Sequence, residues 1–148
     1  MKSLSIRFLL LILITVTTSC SNNDDLDVEP TIENSKDVVD CELSIEPSTA
    51  VSICVVGTDF ALPNETIKFV TTFYSRNDDP LNTEFSWAIE SGSMEILHIE
   101  NSTEGLIAKS IATIKFNADF SGNGIIRGTA QNNNAIGSAT HIVELESN

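Results

Sequence analysis

The sequence predicts an all-β fold, a sandwich of two sheets holding about seven strands over residues 41–148. Three observations predict it. From Cys41 onward, short runs rich in Val, Ile, Thr and Phe are separated by turn residues at fairly regular intervals. Several of these runs alternate polar and apolar residues with period two, so every second side chain falls on one face. No stretch sustains the 3.6-residue apolar period of an amphipathic helix.

Taken in order, Glu42-Leu43-Ser44-Ile45-Glu46 alternates and stops at Pro47, as an edge strand does. Val51 to Val56 is a second run closed by Gly57, and Leu62-Pro63-Asn64-Glu65 is a turn into the next strand. From Thr66 to Tyr74, Ile67, Phe69, Thr71 and Phe73 share one face, with Thr66, Lys68 and Thr72 on the other. That pattern predicts a half-buried strand. Arg76 to Pro80 interrupts it. Glu84 to Glu90 restores it, with Phe85, Trp87 and Ile89 on one face, so the single tryptophan is expected to point inward. Met94 to Ile99 is apolar on both faces and is expected to end at Glu100-Asn101-Ser102. Ser110 to Phe116 follows, with Ala112, Ile114 and Phe116 as one set. Ser121-Gly122-Asn123-Gly124 predicts a hairpin, because Asn-Gly accepts positive φ at both central turn positions. Gly124 to Gln131 and Ser138 to Glu146 form the expected closing pair, joined through Asn132-Asn133-Asn134 and Gly137.

What precedes the domain sets its expected compartment. Lys2 and Arg7 form a positive leader, Phe8 to Val16 an apolar run, and Thr17 to Ser19 a set of small residues before Cys20, which together read as an export signal. The run is shorter than the roughly 20 apolar residues that span a bilayer. Residues 1–19 are therefore expected to be a signal peptide and residues 20–40 an acidic tether. Its Ser21 to Asp40 stretch carries seven acidic residues and one lysine, and like-charge repulsion opposes its collapse. Asp24, Asp25 and Asp27 lack the glycine and distal glutamate of a calcium loop, which favours a solvated spacer. The chain of 148 residues has a formal net charge of −13. Such a charge excludes nucleic acid and anionic lipid surfaces as natural partners.

The stretch ending Thr17-Thr18-Ser19-Cys20 resembles a bacterial lipobox, with Thr17 standing where Leu is usual. The resemblance implies a diacylglyceryl group on the Cys20 thiol, cleavage just before Cys20, and an acylated new amino terminus. Two or three acyl chains would hold the protein durably, since each buried methylene contributes about 0.8 kcal/mol and one chain alone binds marginally. The alternative is a plain secretory signal cleaved near Ser19. Ser21 to Asp25 resembles the acidic, Ser/Asn-rich segments behind the cysteine in some surface-exposed lipoproteins of Gram-negative bacteria. That resemblance implies an outer-membrane anchor facing outward.

The succession Phe85 to Gly92, Thr113 to Phe116, Gly124 to Ala130 and Asn134 to Thr140 resembles the PKD-like branch of immunoglobulin-like domains. The resemblance covers about Glu42 to Glu146 and implies a spacer, adhesive module or ligand presenter. In related modules a cysteine near Cys54 pairs with one in the last hairpin, where this chain has Ile136. With Cys20 taken by lipid, Cys41 is the available partner for Cys54, in a compartment where disulfides persist. The alternative is a free Cys54 buried as a small hydrophobe beside Ile53, Val55 and Val56.

Chemistry is sparse in the sequence. His98 and His141 lie far apart without Cys or His at ligand spacing, and no Gly-rich phosphate loop, G-x-S-x-G or H-E-x-x-H occurs. The expectation is a non-catalytic protein without cofactor or metal. Two loops are candidate contacts. Asn77-Asp78-Asp79 is either an acidic calcium loop or a plain turn, and the Asn132-Asn133-Asn134 tip either hydrogen-bonds a ligand such as a sugar or is a solvated hairpin end. The partner is expected to be a protein or a glycan. One Trp and one Tyr make a poor stacking platform for sugars.

Overall fold

The structure, a computed structural model, describes Lys36 and residues 40–147. Cys20, Asp24, Asp25, Asp27 and the expected signal peptide lie outside the described residues. Eight strands form two four-stranded sheets: β1 Val51–Val56, β2 Phe60–Ala61, β3 Thr66–Ser75, β4 Glu84–Ser91, β5 Met94–Glu104, β6 Ile107–Phe116, β7 Asn123–Gln131 and β8 Ile136–Leu145. Sheet 1 has the order β1-β3-β6-β5 and sheet 2 the order β2-β8-β7-β4. All pairs are antiparallel except β2 with β8. This is the ABED sheet of an immunoglobulin-like sandwich facing its CFG sheet, with β2 added beside β8.

The period-two reading explains the core. β6 alternates without a break, burying Ala108, Ser110, Ala112, Ile114 and Phe116. Of these, Ala112, Ile114 and Phe116 cluster with Ile67 and Phe69 of β3, Ile126 of β7 and Val143 of β8, with Phe120 edge-on to Phe116 at 4.7 Å. Trp87 faces inward from β4 but is only partly buried; its Nε1 donates to the buried Ser110 Oγ at 2.9 Å. At Gly128, paired with Trp87, an added Cβ would lie 2.0 Å from Thr71 Oγ1, so the sheets can approach here only over a glycine. Pro63 and Asn64, the latter at φ 67°, occupy the centre of a type II turn closed by the Glu65 amide on the Leu62 carbonyl at 3.2 Å.

Four expectations are corrected. Glu42 to Glu46 is not a strand. Instead, Cys41 is joined to Cys54 with Cα atoms 6.2 Å apart, and Asp40 accepts from Lys109 Nζ at 2.6 Å. Cys54 and Lys109 flank Thr72 in one row across sheet 1, so the chain crosses directly over Thr72. The crossing explains why β3 is buried on both faces rather than one: Val70, Thr72 and Tyr74 lie under neighbours on the outer side.

The second correction concerns β5, which does not stop at Glu100-Asn101-Ser102 but runs to Glu104. It turns through Gly105, at φ 59°, into a β6 that starts at Ile107 rather than Ser110. A glycine at the first central position is what a two-residue type II′ hairpin needs. Third, Ser121 to Gly124 is not a hairpin, since β6 and β7 belong to different sheets. Only Gly122 is left-handed there, and Gly124 serves close packing instead: a Cβ would meet Met94 Cε at 2.5 Å. Fourth, β8 begins at Ile136 rather than Ser138, so Gly137 lies within the strand, paired with Ala130, and not in the turn.

Candidate functional site

Strand directions place the β3–β4 connection and the β7–β8 hairpin at one pole of the sandwich. Both candidate loops are there, and they interlock around Asp78. Its Oδ2 accepts the Asn133 amide at 2.9 Å and Asn134 Nδ2 at 3.3 Å; its Oδ1 accepts the Asp79 amide at 2.9 Å and Asn82 Nδ2 at 2.8 Å. Asn134 Nδ2 also donates to the Asn77 carbonyl at 3.0 Å, across 57 positions of sequence.

Local sequence explains each half. Asp79 caps a single 3₁₀ turn, Pro80–Asn82, by accepting the Leu81 amide at 2.9 Å, with proline at the first helical position where its missing N–H costs nothing. That turn aims Asn82 back at Asp78. In the hairpin, Asn132 Oδ1 accepts the amides of Asn134 and Ala135 at 3.1 and 2.9 Å, a side-chain turn that leaves the Asn133 amide pointing across to Asp78. Beside them, the Arg76 amide donates to the Ala50 carbonyl at 2.9 Å and its guanidinium to the Pro47 carbonyl, tying the turn before β1 to the same pole.

The Asn82 side-chain bond, then the Asp79 and Asn133 amides, hold the Asp78 carboxyl below its ordinary value of 3.8. A carboxylate already accepting four N–H donors has few lone pairs left for a cation, so this geometry suits a clamp better than a calcium loop. Among the described residues no group of three His, Cys, Asp or Glu is placed to hold a metal ion. The histidines stay apart: His98 is exposed beside Glu100 at 3.2 Å, and His141 is half-buried, with Nε2 2.9 Å from the Thr58 carbonyl and its ring 5.6 Å from that of Phe69.

Residue-by-residue reading found Asn77, Asp78, Asp79 and Asn132 to Asn134 as two separate loops, and the fold makes them one ridge. It missed Asn82 and Arg76. An Asp-Pro helix start was the available signal for Asn82; nothing local marked Arg76, whose partners are more than 20 residues away.

The fold and this ridge define the class: an immunoglobulin-like β-sandwich with an ordered polar crest made by two of its polar-end loops. No family model matches the chain, and no curated protein matches it.

Proposed function

We propose that the protein is a non-catalytic, membrane-anchored surface lipoprotein whose immunoglobulin-like domain binds or adheres through its Asp78-centred crest. The observation that carries this reading is the crest itself. Two loops 55 residues apart are held rigidly together by one carboxylate, while exposed Asn77, Asp79, Asn133 and Asn134 present amides and a carboxylate outward. Rigid polar loops on a β scaffold are a common way to build a recognition surface, because ordering costs are met before binding. The chain reaches the domain at the opposite pole, where Lys36 Nζ meets Glu65 Oε2 at 3.2 Å and Glu146 Oε2 at 3.1 Å. A tether attached there would hold the crest away from the bilayer.

A protein ligand is favoured over a glycan. Tyr74 is buried and Trp87 is turned into the sandwich, so neither ring offers the flat exposed face on which a sugar stacks. The anchor is tested by labelling with radioactive palmitate, which should enter the wild type and not Cys20→Ala; equal labelling of both defeats it. The crest is tested by crosslinking on intact cells, where the wild type should capture a protein that Asp78→Ala loses, while a glycan array stays blank.

A further inference from the structure

The sandwich has an open flank. β5 and β4 are the outermost strands of their sheets on the same side, and among the described residues nothing is hydrogen-bonded to the free side of either. A tight connection through Gly92 joins them at one end, where Met94, Ile96 and Trp87 pack on the core. Towards the crest the inward-facing residues of β5 are open to solvent. Ile99 pairs with the inward-facing Ala112 and so points between the sheets, yet it is 41 % exposed; Leu81, on the 3₁₀ turn beside β6, is 76 % exposed.

β5 carries a bulge between Ile96 and His98, but from His98 to Glu104 its register is regular. Over that span the two faces differ. Ile99, Asn101 and Thr103 face the slot that holds Trp87, whereas Glu100, Ser102 and Glu104 face outward, opposite Ile111, Lys109 and Ile107. β4 itself begins with a further exposed carboxylate, Glu84, on the outer face of sheet 2 opposite Gln131. Basic groups nearby are already engaged: Lys109 is paired with Asp40, Arg127 with Glu90, and His98 Nε2 lies 3.2 Å from Glu100 Oε1.

We propose that this flank docks an extended, cationic segment of a partner protein as a fifth strand on β5, with alternating apolar residues in the Trp87 slot and Lys or Arg residues beside Glu100 and Glu104. Main-chain bonds to a free edge supply affinity in such additions and alternate side chains supply specificity. Charge selects the occupant. A second copy of this chain would bring like carboxylates face to face, the usual protection of an edge against self-pairing, while the same carboxylates attract a basic strand. This surface is distinct from the crest and does not depend on it.

The test uses the full-length protein in a zwitterionic detergent and the blocked heptapeptide Val-Lys-Val-Lys-Val-Lys-Val. Trp87 is the only tryptophan, so its emission reports the slot directly. Binding should shift that emission to shorter wavelength, weaken as salt rises, and weaken about fivefold in Glu100→Lys or Glu104→Lys. N-methylation of the peptide amides on one edge should abolish it. Far-UV circular dichroism checks that the variants fold, and the neutral Glu100→Gln provides a second reading if a lysine variant does not. Equal binding of the glutamate-for-lysine peptide, an unshifted emission, or affinity indifferent to Glu100 and Glu104 overturns the proposal. Concentration-dependent self-pairing of the protein through this edge overturns it as well.

Discussion

Asp78 stabilises the crest best while ionised, because all four of its partners are N–H donors and protonation turns one acceptor oxygen into a competing O–H donor. Its pKa is lowered in the folded protein, so its contribution is fully present above the ordinary value of 3.8 and is lost as pH falls through the depressed one. Hydrogen exchange at the Asn133 amide should accordingly be slow at neutral pH, and on acidification protection should fail only below pH 3.8; Asp78→Asn should remove that step. Two packing residues make sharper demands. Gly128→Ala would push a methyl into Thr71 and Val55 Cγ2 and should destabilise by about 1–3 kcal/mol in denaturant titration. Trp87→Phe keeps an aromatic side chain but removes the indole N–H and strands the buried Ser110 hydroxyl, at a cost of about 1–3 kcal/mol, whereas a change within error would mean that water reaches Ser110 in the native state.

At the scale of elements, the segment before β1 is the informative one. Its alternation reads as a strand, yet it makes no ladder, because the edge of β1 is bypassed and the chain is stapled by Cys41 to the outer face of sheet 1. Closing this short loop, with its ends 13 residues apart, should contribute roughly 3 kcal/mol in the chain-entropy model. The double variant Cys41→Ser with Cys54→Ser should lower the denaturation midpoint accordingly and speed exchange at Val70 and Thr72; unchanged protection there would mean the segment stays in place without its staple. The turns behave differently from one another. Leu62 to Glu65 and the existence of the β7–β8 tip, though not its end at Ala135, were legible because the turn preferences of proline and asparagine act over about four residues. Ser121 to Gly124 misled because turn chemistry reports a reversal of direction and is silent on whether the next strand rejoins its own sheet or crosses to the other.

For the whole molecule, closure at the pole opposite the crest depends on contacts far apart in sequence. Lys36 bridges Glu65, which is nearly buried, and Glu146, 110 residues away. Lys36→Ala should cost about 1–2 kcal/mol, a figure reduced from that of a fully buried pair because Lys36 itself is partly exposed. A melting temperature equal to that of the wild type would show the carboxylate of Glu65 content with the Leu62 amide alone.

By itself the sequence determined the fold class, most strand positions, the inward set of β6 and the inward direction of Trp87, since all of these follow from a two-residue period and a hydrophobic interior. Pairing order, the double burial of β3 and the union of two polar loops into one crest were decided by tertiary structure alone. Those features depend on which strands become neighbours, and a contact between Asp78 and Asn133 spans 55 residues across which no local preference acts.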